Sequence, residues 1–371
     1  MNTSKKKIKV LHVINGEFFA GAERVQDVLA LYLPNYNYEV GFVCLKLVQF
    51  SKRRNSTVPL FDIPMRSKID LAPARKIARI IKEEGYTLLH THTPRAALIG
   101  RVAALLSGVP FVHHVHSPTT RDTESFFRNR VNACIERLSL IGVAQLIPVS
   151  RSLENYLKLQ GWLSERITMV PNGVVTPGPL SDRPLPQSEW TIGCVALFRP
   201  RKGIEVLIRA LAVLRQNGRM MRLYAVGPFE TPVYEKAIKD LTIELGVAHM
   251  IEWVGFVQNV NLEFLKMDAL VLPSLFGEGM PMVILEAMAT GVPVVASNVE
   301  GIPEVLEQGR TGIIVPPGDA DQLASALSDL MDNKYDWHSL RTDAYHLQVE
   351  KFSNFSMAKG VARIYDAVLA N

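Results

Sequence analysis

The chain has 371 residues, 48% of them hydrophobic and 21% charged, which excludes whole-chain disorder and exceeds one comfortable core, so two domains are expected. Its net charge of +5 hides an asymmetry: residues 1–172 carry 24 Lys+Arg against 13 Asp+Glu, net +11, and residues 173–371 carry 17 against 23, net −6. The three cysteines, Cys44, Cys134 and Cys194, are odd in number, widely spaced and in apolar surroundings, which argues against a disulfide framework or a zinc cluster and for a reducing, cytoplasmic setting.

From the N-terminus, the basic start MNTSKKKIKVLHVI is interrupted by Lys9 and His12 and reads as a first strand, not a signal peptide. Strands are expected at 8–14, 38–45, 87–92, 110–116 and 145–150, with helices at Ala22–Tyr32, Ala72–Glu84 and Arg95–Leu106 between them. The stretch PNGVVTPGPLSDRPLP (171–186), with five prolines and two glycines, suits a linker. The pattern then restarts, with strands at 191–198, 222–227, 250–255, 269–274, 292–297 and 312–317, and helices at Gly203–Gln216, Thr231–Leu245, Pro281–Ala289 and Asp321–Met331. Strand–helix alternation of this kind makes parallel sheets, so the fold class is α/β with two doubly wound, Rossmann-like domains. The boundaries are 1–172, a Pro-rich linker 173–190, 191–351, and a C-terminal helix 352–371 packing back on the first domain. Ligands of such sheets bind at the carboxyl ends of the strands, here in a central cleft. No apolar run approaches the eighteen or so residues of a membrane span, and Leu138–Val149 is too short.

The stretch Ser274–Gly291, SLFGEGMPMVILEAMATG, ends a strand, crosses a loop and enters a helix whose first turn suits Pro281. Glu286 falls about one and a half turns into the helix and Glu278 just outside its positive end. Taken alone, an acid before a helix is a capping or dipole partner; the surrounding motifs decide otherwise. Glu278-x7-Glu286, followed by Gly301-Ile302-Pro303-Glu304 and TGIIVPPGD (311–319), resembles the large family 4 of retaining glycosyltransferases, group 1 type, with the GT-B fold. The resemblance extends upstream to Arg199-Pro200-Arg201-Lys202-Gly203, Pro171-Asn172-Gly173-Val174 and Ala20-Gly21-Ala22-Glu23, and so covers nearly the whole chain.

The resemblance implies that Glu286 binds the ribose hydroxyls of a nucleotide sugar and that Glu278 contacts the sugar near the reacting carbon. Met280, Met282 and Val283 line the donor, the last two through backbone N–H groups at the helix start. Lys202 matches the lysine that faces the pyrophosphate. The usual arginine position holds Leu197, so Arg199 is the expected substitute and Arg201 the weaker one. Pro281 stands where many relatives have Gly, and proline offers no N–H to the donor. Gly21 corresponds to the second glycine of a pair that admits the donor phosphate, and His116 to a histidine that contacts the transferred sugar.

Five of the nine histidines cluster in two strands, at His90, His92, His113, His114 and His116; alternation puts His90 with His92, and His114 with His116, on common faces. Zinc is conceivable there, but with no cysteine nearby no metal is expected. Asp319-Ala320-Asp321 looks like a metal motif, yet it follows Pro-Pro-Gly and precedes an amphipathic helix, so an N-cap is expected. The basic, aromatic segment 117–142 suits either packing on the sheet or contact with an anionic membrane.

The expected activity is that of a metal-independent, retaining hexosyltransferase using a UDP or GDP sugar as co-substrate, with no cofactor. The C-terminal domain would hold the donor, and the basic N-terminal domain a glycan or lipid-linked acceptor. A peripheral place on the cytoplasmic face of a membrane, and no nucleic-acid partner, go with that. Two rivals share the pattern: another enzyme of the fold, such as a phosphosugar epimerase or phosphorylase, and a non-catalytic nucleotide-sugar-binding protein.

Overall fold

The computed structural model describes residues 7–17, 19, 21–46, 48–67, 70–118 and 134–370. The chain divides into two compact units, one of residues 1–173 and 353–371, the other Val174–Phe352. Among the described residues no helix is long and apolar enough to cross a membrane.

In the first unit six parallel strands are β1 (Ile8–Ile14), β2 (Tyr38–Cys44), β3 (Leu60–Asp62), β4 (Leu88–Thr91), β5 (Phe111–Val115) and β6 (Gln145–Pro148). Their order is β3-β2-β1-β4-β5-β6. β4 and β5 are buried along their whole length, as strands covered on both faces must be. β3 was not expected: three residues of Leu-Phe-Asp carry too little alternation to stand out. The register of β1 and β4 sets His12 beside His90, and His90 pairs with Val112 on β5, two residues before His114.

The helix Asn354–Ala370 belongs to this unit. Its Tyr365 is fully buried and its hydroxyl meets His12 Nε2 at 3.1 Å and His90 Nδ1 at 2.5 Å, while the Tyr38 hydroxyl donates to Asp366 at 2.5 Å. The chain enters the helix beside Gly173, where a Cβ would lie 2.2 Å from the Ser353 carbonyl oxygen. Only glycine permits that approach.

The second unit repeats the plan with β7 (Trp190–Val195), β8 (Met221–Val226), β9 (Ile251–Gly255), β10 (Ala269–Leu272), β11 (Val294–Ser297) and β12 (Ile313–Val315). They run parallel in the order β12-β11-β10-β7-β8-β9. Its core joins Ile192 and Val271 of the sheet to Leu207 and Leu211 of the helix Ile204–Gln216 and to Leu323 and Leu327 of the helix Ala320–Met331. Asp319 caps the latter helix by accepting from Gln322 N–H at 2.9 Å, the N-cap expected of the Asp-x-Asp stretch. Several expected strands overran: 191–198 stops at Val195 and 269–274 at Leu272, because the residues beyond turn into loops.

Residues 174–189 have no helix or strand, yet they are not a free tether. Val174 N–H donates to the Phe352 carbonyl at 3.0 Å, and Arg183 pairs with the buried Asp268 at 2.6 Å. Arg341, on the helix Trp337–Lys351 and only 4% exposed, donates to the carbonyls of Gly291 at 2.7 Å, Ser181 at 2.9 Å and Arg183 at 3.3 Å, and stacks on Trp337 at 4.6 Å. The Pro-rich stretch therefore packs on the second unit, because prolines remove donors but leave carbonyls that a buried guanidinium can collect.

Arg341→Ala strips three carbonyls of their donor, each costing about 1–3 kcal/mol if left dry. Urea unfolding of the second unit is expected to show a loss of about 3 kcal/mol or more; a loss under about 1 kcal/mol would show that water replaces the guanidinium.

Candidate active site

Two loops at the carboxyl ends of β7 and β10 carry most of the residues singled out from the sequence. The turn Pro200–Lys202 follows β7 and ends at Gly203, whose φ is +64° and whose Cβ, were there one, would lie 2.1 Å from the Pro273 carbonyl oxygen. Glycine is thus what lets the basic turn lie against the loop after β10. Three bonds lace the loops together: Leu275 N–H to the Arg201 carbonyl at 2.9 Å, Arg201 Nη1 to the Gly277 carbonyl at 2.7 Å, and Lys202 Nζ to Glu278 Oε1. Ser274 Oγ donates to the same Glu278 oxygen at 2.6 Å.

Glu278 is 5% exposed. Burial alone would push its carboxyl up, but the charges of Lys202 and Arg201 and the bonds from Lys202 and Ser274 outweigh it and hold the group below the usual glutamate range. Burial likewise draws the Lys202 ammonium below the usual lysine range, with Glu278 opposing. The result is a buried carboxylate and a partly buried cation that keep each other charged.

The helix Met282–Ala289 starts at Pro281, which is its N-cap, with φ −73° and ψ 118°, and not a residue of its first turn. The extended ψ takes proline out of the helix, and its side chain cannot cap, so the N–H groups of Met282 and Val283 have no side-chain cap. Met280 and Met282 are buried, and Glu286, the fifth helical residue, is 4% exposed.

Glu300 was missed from the sequence. Its carboxylate Oε2 accepts from the N–H groups of Gly277 and Glu278 at 3.0 and 3.1 Å, and Gly301 N–H returns a bond to the Glu278 carbonyl at 3.0 Å. It holds φ +33°, costly for a residue with a Cβ and typical of a constrained site. Its position directly before Gly301-Ile302-Pro303 was the available signal. Ser274, four residues before Glu278, carries no motif of its own in the sequence, yet its hydroxyl orients that carboxylate.

Of the two arginines, Arg201 spends its guanidinium on the Gly277 carbonyl. Arg199 reaches Glu230 at 3.3 Å in a half-exposed pair of little energetic weight, and its Nε is buried without a hydrogen-bond partner. Burial, ahead of the neighbouring Arg201 charge, pulls its pKa down. Of the two arginines, Arg199 is the one with a buried, unmet donor.

In the first unit, Gly21 opens the helix Gly21–Tyr32 and is exposed, with nothing within 4 Å of where a Cβ would stand. Neither packing nor φ requires glycine there. His116 follows β5, half-buried, with Nε2 3.1 Å from His92 Nδ1; burial lowers its pKa to about 4, so the ring is neutral. Of the basic segment 117–142, residues 119–133 lie outside the described residues.

Residues 19–176 match the family model Glycosyltransferase Family 4, and residues 189–333 match Glycosyl transferases group 1. An Escherichia coli UDP-Gal:alpha-D-GlcNAc-diphosphoundecaprenol alpha-1,3-galactosyltransferase is 23% identical over 99% of this chain and 98% of its own. A Mycolicibacterium smegmatis phosphatidyl-myo-inositol mannosyltransferase is 27% identical over 82% and 79%. Among solved structures, the Anabaena protein HepE in complex with UDP-glucose superposes with a TM-score of 0.85 at 21% identity, over 97% of this chain and all of that one. The two matched models, in the order and place of the two units, show that the chain belongs to the family 4, group 1 glycosyltransferases and has the GT-B fold.

Proposed function

We propose that the protein is a retaining glycosyltransferase that moves a hexosyl group from a UDP-type sugar to a hydroxyl of a lipid-linked glycan. The observation that carries this reading is the pair of buried carboxylates, Glu278 and Glu286, flanking an uncapped helix start beside Lys202 and Arg199. UDP is favoured over GDP because the E. coli relative is named for UDP-Gal and HepE was solved with UDP and UDP-glucose. A lipid-linked acceptor is favoured because the E. coli and mycobacterial relatives are named for a diphosphoundecaprenol and a phosphatidylinositol acceptor. A cytoplasmic, membrane-facing place follows from such an acceptor and from the basic first half of the chain. No matched relative named above favours the epimerase, phosphorylase or scaffold readings.

In this reading Glu286 accepts both ribose hydroxyls, which fixes the nucleoside in one orientation. Arg199 and Lys202 face the pyrophosphate. As the bond from the anomeric carbon to the phosphate oxygen breaks, negative charge grows on that oxygen. Two fixed cations stabilise it without a metal at this site. The acceptor oxygen bonds the anomeric carbon from the same face, and its proton passes to the departing phosphate. Glu278, oriented by Ser274 and Lys202, meets the sugar hydroxyls, as do the N–H groups of Met282 and Val283. Pro281 withholds an N–H at that point and so narrows which sugar fits. On the family pattern, Gly21 admits the phosphate to backbone and His116 contacts the transferred sugar.

Incubation with UDP-sugars and a polyprenyl-diphosphate glycan, followed by NMR of the new anomeric proton, tests the reading: an axial product is expected from an axial donor, and an inverted product would overturn retention. Glu286→Ala is expected to weaken UDP binding by about 1.5–3 kcal/mol, the scale of a charged hydrogen-bond partner; unchanged affinity by calorimetry would return Glu286 to the core. Glu278→Gln is expected to lower kcat about 100-fold with UDP affinity within about threefold, since its partner is the sugar. Equal losses in both would mean that Glu278 acts on the nucleotide through Lys202.

A further inference from the structure

The sheet of the first unit buries a stack of imidazoles that the transfer reaction does not use. His12 on β1, His90 on β4 and His92 just after β4 are 0%, 0% and 3% exposed. Their rings lie face to face or tilted, with centroids 4.6 Å apart for His12 and His90, 5.2 Å for His12 and His92, and 4.1 Å for His90 and His92. Each ring has one nitrogen occupied and one not. His12 Nε2 and His90 Nδ1 share the Tyr365 hydroxyl, and His92 Nδ1 faces His116 Nε2. The opposite nitrogens, His12 Nδ1, His90 Nε2 and His92 Nε2, are buried without any hydrogen-bond partner.

A dry, unmet imidazole nitrogen costs about 1–3 kcal/mol, and this one stack, with His114, holds five of the nine buried side-chain atoms without a hydrogen-bond partner among the described residues. Their neighbourhood offers more nitrogen: His114, with both ring nitrogens unpartnered, stacks on His90 at 5.4 Å and lies tilted to His92 at 5.2 Å. Burial among rings of the same kind holds all of these imidazoles neutral, the form that coordinates metal. One ring nitrogen from each of His12, His90 and His92 lies within 4.8 Å of the others. Nitrogens sharing one tetrahedral zinc ion at about 2.0–2.1 Å stand roughly 3.3 Å apart, so the rings must turn and close by up to about 1.5 Å to share an ion.

We propose that His12, His90 and His92 bind a divalent transition-metal ion of the zinc class through Nδ1, Nε2 and Nε2, with His114 or solvent as fourth ligand. The polar groups behind the ligands fit that role. Metal-bound histidines orient themselves by hydrogen-bonding through the other ring nitrogen, and here the Tyr365 hydroxyl serves two of the three and His116 the third. The ion would tie β1 to β4 and both to the C-terminal helix through Tyr365. A second grouping, His92, His114 and His116, shares His92 and so competes for one ligand. Each of His12, His90 and His92 has a buried, unmet ring nitrogen, and His116 has none.

The test uses the full chain without a histidine tag, stripped with chelator and titrated with Co2+ and Zn2+. One equivalent of Co2+ is expected to bind and give the intense visible bands of a tetrahedral site, and Zn2+ is expected to displace it. His90→Ala should abolish the bands, while His338→Ala, at an exposed position, should leave them. Tyr365→Phe keeps every ligand and is expected to weaken binding about 10–100-fold, the usual effect of losing such a supporting bond. Should His90→Ala fail to fold, the Tyr365→Phe affinity carries the test. No uptake of either ion by the wild-type chain, a Tyr365→Phe affinity equal to wild type, or bands that survive in His90→Ala would overturn the proposal; loss of bands only in His116→Ala would move the ion to the second grouping and overturn this ligand set.

Discussion

The candidate active site depends on one ion pair, Lys202 with Glu278, buried between a basic turn after β7 and an acidic loop after β10. Removing either partner of such a pair strands a charge in a low-dielectric place, a loss of about 3–5 kcal/mol, while replacing both with apolar groups is often harmless to stability. Stability alone therefore does not account for it. What the pair does is set positions: Ser274 fixes the carboxylate, Arg201 and Leu275 fix the turn, and Glu300 fixes the backbone of Gly277 and Glu278. Because these supports come from three different strand ends, the arrangement forms only once the second sheet is assembled.

The fold was largely legible because its signals are long and repeated. Strand and helix alternate over the whole chain, and fully buried strands such as Ala269–Leu272 read as unbroken apolar runs. What was lost was short or tertiary. β3 has three residues, too few for a period to register. The proline-rich stretch after Gly173 advertises irregular backbone correctly, but its anchoring by Arg341, some 160 residues away, leaves no local mark. Pro281 was placed inside the helix on its φ preference; the structure uses it one residue earlier, where ψ is extended and the missing N–H still costs nothing.

Within the candidate site, residues with a motif around them stand out in the sequence, and residues that act through backbone do not. Glu278, Glu286 and Lys202 sit in ordered patterns; Glu300 does its work by accepting two main-chain N–H groups from a strained φ, which composition does not encode. Arg199 is the arginine expected from the sequence, which carries no sign that the Arg201 guanidinium bonds the Gly277 carbonyl. Histidine alternation correctly put His90 with His92 and His114 with His116, but His12, seventy-eight residues earlier, joins them only through the β1–β4 register.

The central claim is that the second unit holds a nucleoside diphosphate at this site. Thermal unfolding of the purified chain with UDP, GDP and ADP tests it most directly, since a ligand at about 100 times its Kd adds roughly 2.7 kcal/mol to folding. The account predicts a clear upward shift with UDP, larger than with GDP or ADP at equal concentration. No shift with any nucleoside diphosphate at millimolar concentration would contradict it.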